Sequence, residues 1–203
     1  MSIDAMNKVT YGVFVLTAMK EGFDNGCIIN TVLQVTDNPN RVVVAVNKSN
    51  YTHDMIMETK SFNVSVLSEK ADFDMFKHFG FQSGRDVNKF KEFDNFKRSK
   101  NGVSYITKGT NSFISGQVTD TIDMGTHTMF VADVTDMEVL NEDSSASYEY
   151  YHKNIKPQPS VNKTKEKEKW VCTICGYEYE GEELPEDFIC PWCKHPASDF
   201  EKV

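Results

Sequence analysis

Cys172 and Cys175 form one Cys-x-x-Cys pair, Cys190 and Cys193 form a second, and fourteen residues lie between the pairs. Each spacing lets one tight turn offer both sulfurs to the same ion, and two such turns surround a tetrahedral metal with four thiolates. Disulfides fit poorly, because Cys27 is the only other cysteine and nothing else points to a secreted protein. A segment folded around such an ion is small. Trp170, Tyr177, Tyr179, Phe188 and Phe200 provide aromatic surface to wrap a module whose core is otherwise almost absent. Four thiolates suit zinc and iron about equally, so spacing alone leaves the metal open.

The flanking residues narrow the choice. Cys172-x-x-Cys175-Gly176-Tyr177, then Tyr179, then Phe188-Ile189-Cys190-Pro191-x-Cys193, then Asp199-Phe200-Glu201 resembles rubredoxin, an electron carrier with one iron on four cysteines. Gly176 allows positive φ after the first pair, and Pro191 stiffens the second turn. Lys194 stands where rubredoxins commonly have Gly. The short loop between the pairs and the Lys194-His195-Pro196 tail are similar to the rubredoxin module at the end of rubrerythrins. The resemblance implies iron.

The 203 residues carry a formal net charge of −8. That balance argues against a nucleic-acid partner, which calls for a basic face, and no run approaches the roughly twenty apolar residues of a membrane span. The apolar stretch 9–19 lacks a small-x-small cleavage site and alternates like a strand, not a signal peptide. A cytoplasmic protein is the expectation, in agreement with a thiolate site in a reducing compartment.

Upstream, strands are expected over 11–17, 27–36, 41–46, 61–67, 113–119, 129–134 and 137–140, separated by turn signals such as Asp24-Asn25-Gly26 and Asn38-Pro39-Asn40. The clean alternation of 61–67 predicts one buried and one wet face. Helical pieces are expected over 51–60, 71–79 and 86–93, with one helical turn at 4–8. Many strands with few helices make the chain mainly β, a barrel with short helices. From about His152 two prolines and many lysines replace apolar side chains, which reads as a solvated tether. The division expected is 1–155, a linker over 156–168, and a small module over 169–203. Tyr148, Tyr150 and Tyr151, just before the tether, suit packing at the barrel edge, covering a cofactor or docking the module.

No Gly-x-Gly-x-x-Gly, Walker loop or second ligand cluster occurs, and the histidines are scattered. Residue chemistry alone therefore stops at a β-rich domain. Four ordered motifs go further: Asp24-Asn25-Gly26-Cys27-Ile28-Ile29-Asn30-Thr31, Asn47-Lys48-Ser49-Asn50-Tyr51-Thr52-His53-Asp54, Phe79-Gly80-Phe81-Gln82-Ser83-Gly84-Arg85 with Lys89, and Gly125-Thr126-His127-Thr128. Together they resemble the flavin reductase family, over most of 1–155. That resemblance implies a split β-barrel, usually dimeric, with FMN at the subunit interface. Gly26, Cys27, Ile28, Asn30 and Thr31 would run past the flavin ring. Asn47, Lys48, Ser49 and Thr52 would meet phosphate at a helix start, Ser83, Arg85 and Lys89 would form a second polar clamp, and His53 would belong to the cofactor site. His127 would face flavin and nicotinamide, although many relatives have Asp at the position of Thr126.

Fused to a rubredoxin, such a domain resembles the high-molecular-weight rubredoxins. The implied activity passes a hydride from NADH or NADPH to FMN, then single electrons to iron and on to an external acceptor, a flavodiiron protein reducing oxygen or nitric oxide. The rivals are a flavin or ferric reductase with a structural zinc ribbon, and a non-catalytic FMN-binding module whose zinc ribbon makes protein contacts.

Overall fold

In the computed structural model, which describes Met6, residues 8–157 and residues 169–203, Glu21 and Gly22 take φ of 51° and 82° and fold β1 (Phe14–Lys20) back on β2 (Phe23–Ile29). Two consecutive positive φ values give a turn whose twist matches that of the strands it joins. This places Asp24, Asn25 and Gly26 inside β2, so the turn expected there moves upstream. The single strand expected over 27–36 is two, β2 and β3 (Val32–Asp37), broken at Asn30-Thr31. Next come β4 (Asn40–Asn47), α1 (Tyr51–Thr59), β5 (Ser61–Leu67) and α2 (Phe73–Gly80). The hairpin β6 (Phe96–Arg98) and β7 (Ser104–Ile106) precedes the long strands β8 (Thr110–Asp123) and β9 (His127–Val139). One strand, β9, covers both segments expected over 129–140.

Among the described residues the main sheet has seven antiparallel strands in the order β2-β1-β5-β8-β9-β4-β3. Its architecture is the mainly β barrel expected. Alternate residues of β1 feed two cores. Phe14, Leu16 and Ala18 join Val44, Phe62 and Phe130 inside the barrel, where Met55 and Ile56 of α1 also pack. Val13 and Val15 point the other way, onto Phe76 and Phe79 of α2. A strand buried on both faces reads as a continuous apolar run.

The wet face expected on β5 is not wet. Asn63 and Ser65 are fully buried under β6–β7, where Asn63 Nδ2 donates to the Val103 carbonyl at 2.8 Å and Ser65 Oγ accepts from the Ile106 N–H at 2.9 Å. Nor is 86–93 a helix; its residues form turns. Phe90 and Phe93 fold onto Phe79, with ring centroids 5.7 and 5.2 Å away, an arrangement that outweighs local helical preference.

After β9 a short helix (Tyr148–Tyr150) continues as a π-helical turn (Tyr151–Ile155), whose Tyr151 ring stacks on Phe76 at 4.2 Å. In the small module β10 (Lys169–Cys172) lies between β11 (Glu178–Glu180) and β12 (Phe200–Lys202). The tether expected from about His152 begins later, because residues 152–155 belong to the π-helical turn and Ile155 packs on the core around Phe76. Of the linker expected over 156–168, residues 158–168 lie outside the described residues, as does most of the turn expected at 4–8. Among the described residues no helix is long and apolar enough to cross a membrane.

Candidate functional site

The two cysteine turns repeat one backbone design. In the first, the Cys172 N–H donates to the Tyr177 carbonyl at 2.9 Å and the Gly176 N–H returns to the Cys172 carbonyl at 2.8 Å. In the second, the Cys190 N–H donates to His195 at 2.8 Å and the Lys194 N–H to Cys190 at 2.9 Å. The residue after each second cysteine has positive φ, 80° at Gly176 and 62° at Lys194. The departure from Gly thus preserves the turn at a modest conformational cost.

The four sulfurs lie within 4.8 Å of one another, with Cys172 and Cys193 3.6 Å apart and Cys175 and Cys190 3.4 Å apart. A tetrahedral ion with metal–sulfur bonds of about 2.3 Å has edges of about 3.8 Å, so the thiols are nearly in place. All are free cysteines. Burial, and then the neighbouring Cys193, push the Cys172 thiol up to about 11, while contact with Cys175 and burial push Cys193 upward. Burial thus holds these thiols protonated, and an ion that binds here displaces their protons. Around the site Tyr177, Tyr179, Phe188 and Phe200 make the aromatic wrap.

On the barrel, a cavity of about 220 Å³ opens between β2, the start of α1 and the loop after α2. Lys89 forms its floor. Its side chain is 3% exposed, and Nζ donates to the carbonyls of Gly26 at 2.8 Å and Phe79 at 2.9 Å. Burial lowers its pKa from 10.5 to about 8, with nearby Cys27 acting in the opposite direction. Cys27 is itself buried, and its thiol is pushed up by that burial.

Asn25 Nδ2 donates to Thr52 Oγ1 at 2.9 Å, whereas Asn25 Oδ1 is buried without a partner among the described residues. A Cβ on Gly84 would lie 2.2 Å from that oxygen, so a larger residue there would displace the Asn25 side chain. Asn50 begins α1 without a side-chain cap, which leaves the helix's positive end toward the same cavity. A buried ammonium, the hydroxyls of Ser49, Thr52 and Ser83, an uncapped helix end and an orphan acceptor suit a hydroxylated ligand with an anionic end.

Of the expected residues, Cys27, Ser49, Thr52, Ser83 and Lys89 line this cavity. Gly26 supports it through its carbonyl, but the space a Cβ would take at Gly26 belongs to the Phe79 ring, 3.0 Å away, and so is reserved for the protein's own packing. Arg85 borders an adjoining cleft, pairing with Asp54 at 2.5 Å over the Tyr51 ring. His53 has both nitrogens engaged, one with Asp54 at 3.0 Å and one with Thr128 at 2.9 Å, and acts as a strut between α1 and β9.

A second group gathers at one edge of the sheet. The Ala45 N–H donates to the Thr31 carbonyl at 3.4 Å, and two residues on Asn47 pairs with His127. Asn47 Oδ1 accepts from both the N–H and the hydroxyl of Ser49 at 2.9 Å. The Lys48 N–H donates to Thr126 at 3.0 Å, and its ammonium pairs with Asp123 at 2.7 Å. Half-buried His127 meets Thr126 Oγ1 at 2.9 Å through Nδ1. Asn30 accepts from the Thr31 hydroxyl at 3.1 Å, while Ile28 faces the opposite side, toward α2.

Sequence reasoning missed Asn25, read as a turn residue, and Phe81, which packs against the cysteine cluster. It also missed that Cys193 and Lys194 line the barrel cavity. Their only signal was chemical type, because their neighbours are distant in sequence.

Residues 6–158 match the family described as flavin reductase like domain, and residues 170–201 match the rubrerythrin, rubredoxin-like domain. A high molecular weight rubredoxin of Moorella thermoacetica is 34% identical, with 100% of both chains covered. A ferric-chelate reductase (NAD(P)H) of Archaeoglobus fulgidus is 35% identical over 75% of this chain and 89% of its own. Among solved structures, BorF, the flavin reductase component of a bacterial two-component tryptophan halogenase, superposes with a TM-score of 0.63 at 20% identity, covering 71% of this chain and 89% of that one.

Proposed function

This chain belongs to the flavin reductase family and ends in a rubredoxin-like domain, and on that premise we propose that it is a cytoplasmic, homodimeric relay carrying electrons from NADH or NADPH to a flavodiiron protein that reduces oxygen or nitric oxide. It is an oxidoreductase with an FMN-binding reductase domain and a four-cysteine iron site. The observation that carries the relay is the presence of both sites in one chain: four sulfurs poised around an ion and a barrel cavity floored by a buried ammonium. FMN supplies hydride acceptance and release of electrons one at a time, and the iron takes up one electron at a time.

The residues divide the task of holding the cofactor. Lys89, Ser49, Thr52, Ser83 and the uncapped start of α1 receive the phosphate and hydroxylated chain, with Arg85 and His53 steadying that wall through Asp54. Gly26, Cys27 and Ile28 shape the strand beside it. Asn30, Thr31, Asn47 and Lys48 form the edge that meets the ring, and His127 orients the nicotinamide. No side chain need act as nucleophile or general acid. Residues 1–155 act as the reductase unit, 156–168 as linker and 169–203 as the iron module. Exposed Glu180, Glu182, Glu183, Glu186 and Asp187 give that module an acidic surface for a basic face on the acceptor.

The purified protein is expected to show an iron–thiolate spectrum over a bound-flavin spectrum, and anaerobic NADH or NADPH should bleach both. Cys193→Ser should abolish the iron bands, while NADH or NADPH still reduces FMN supplied at saturating concentration. Stoichiometric zinc, or flavin that bleaches while iron stays oxidised, would sink the relay and favour the reductase with a zinc tail.

The dimer is supported by an apolar outer face. Val42, Val44, Val46, Phe130 and Ala132 point into the barrel, so their neighbours point outward. Register places Leu33, Val43 and Val131 in one row and Ala45, Met129 and Ile122 in another. Leu33 and Ile122 are 61% and 42% exposed. A contiguous apolar face on a sheet marks an interface. Met129→Asp is expected to turn a dimer into a monomer by analytical ultracentrifugation, and a wild-type monomer at the same concentration would remove the dimer from this reading.

A further inference from the structure

The small module sits on the barrel with its second cysteine turn against the cavity just described. Cys193 and Lys194 line that cavity together with Asn25, Thr52 and Lys89. Three further contacts fix this placement. Phe81, immediately after α2, packs against the buried cysteine cluster. Ile174, Cys193 and His195 close a gap of about 180 Å³ against Phe76, Tyr148 and Tyr151. Lys156 Nζ donates to the Thr173 carbonyl, tying the end of the barrel domain to the first cysteine turn.

We propose that the iron module works seated on the barrel rather than roaming on its tether, its second cysteine turn completing the flavin cavity, with Lys194 supplying a cation to the anionic end of FMN and Cys193 presenting the iron's ligand shell to the cofactor. This rests on the relay reading above. A roaming module would leave the cavity walled by the barrel alone, with Lys89 as its one buried cation among the described residues. Seated, the module adds a second ammonium-bearing side chain at the mouth. The positive φ of Lys194 belongs to the turn that holds Cys193, so the backbone that positions the ligand also positions the cation. Electron balance is simple. One reduced nicotinamide gives two electrons, the iron centre passes between ferric and ferrous states twice, one proton is released, and two electrons leave to an external one-electron acceptor.

The test uses the full chain with iron bound and FMN removed, and titrates FMN by fluorescence quenching. Lys194→Gly suits the positive φ and keeps the turn, and it is expected to weaken FMN binding about tenfold, as loss of a charge-assisted contact does. Lys194→Arg should restore most of that loss. Ile174→Asp, which puts a charge into the docking contact, should weaken FMN similarly and slow anaerobic reduction of the iron roughly tenfold, with the iron spectrum unchanged. Hydrogen exchange should then rise at Phe81 and Tyr151. FMN affinities within twofold of wild type for both Lys194→Gly and Ile174→Asp, or iron reduction unaffected by Ile174→Asp, would overturn the seated arrangement. A wild-type chain that binds FMN and iron but never passes electrons between them would instead sink the relay itself, and this inference with it.

Discussion

Lys89→Met is expected to weaken FMN binding by about 2–3 kcal/mol, roughly a hundredfold, and to erase a pH dependence of stability that the wild-type protein shows between about pH 8 and 10.5. Lys89 has two carbonyl partners, Gly26 and Phe79, and its remaining N–H lies in the cavity wall. Among the described residues no carboxylate pairs with it there, and burial is what lowers its pKa to about 8. In the cofactor-free protein the charged form is therefore disfavoured on folding. The penalty is fully present below about pH 8, shrinks as pH rises, and is gone above the unfolded value of 10.5. The difference in pKa corresponds to about 3 kcal/mol.

Methionine fills a similar volume without a charge. It removes that slope while leaving two carbonyls without a donor, so at neutral pH the two effects nearly cancel. Phosphate changes the sign of the situation, because an anion in the cavity raises the Lys89 pKa. FMN binding then takes up a proton above about pH 8, and its affinity falls with rising pH from there. Chemical denaturation of wild type and variant from pH 7 to 10.5, paired with FMN titrations, measures both halves. Parallel stability curves would show that Lys89 is not a buried cation, and unchanged FMN affinity would remove it from the site.

What the sequence disclosed and what it concealed follow from the range of the interactions. The cysteine turns are local: spacing, a positive-φ residue and a proline lie within six positions, so the metal site is readable as text. The start of α1 after Ser49-Asn50 is local in the same sense. Lys89 is not. It stands near Asp86 and Lys91 in a stretch that reads as solvent-facing, and only the collapse of Phe90 and Phe93 onto Phe79 turns it inward. Asn63 and Ser65 show the same limit, since their alternation with Phe62 and Val64 signals a wet face until β6–β7 covers them. Asp24-Asn25-Gly26 has turn chemistry, but the hairpin closes at Glu21-Gly22 and keeps Gly26 for its contact with Phe79. The polar residues of the cavity were nameable from family resemblance, whereas Asn25 and Lys194 needed the fold.

Stripping the iron is expected to unfold residues 169–203 and leave the barrel folded. The buried members of the module's core cluster are Cys172, Cys175, Cys190 and Phe200, so most of that interior is ligand. A unit of this size cannot bury enough apolar surface to offset its chain entropy, and structural ions in comparable four-ligand sites contribute about 10–16 kcal/mol. Without the ion, burial keeps Cys172 and Cys193 as neutral thiols, and weak thiol contacts are all that replaces the four metal–sulfur bonds.

The barrel has its own interior around Phe62 and Phe130, untouched by the metal. The chain offers a built-in reporter, because both tryptophans, Trp170 and Trp192, lie in the module. Chelation under anaerobic, mildly denaturing conditions should red-shift tryptophan emission while the β-sheet signal persists. Zinc should restore the emission without restoring the red colour or electron uptake, because it refills the tetrahedron but has no redox step at these potentials. Emission and hydrogen exchange unchanged after complete iron loss would mean that the aromatic wrap of Tyr177, Tyr179 and Phe188 suffices alone. Recovery with zinc would separate the metal's two tasks, holding the module together and carrying charge, and assign only the second to iron.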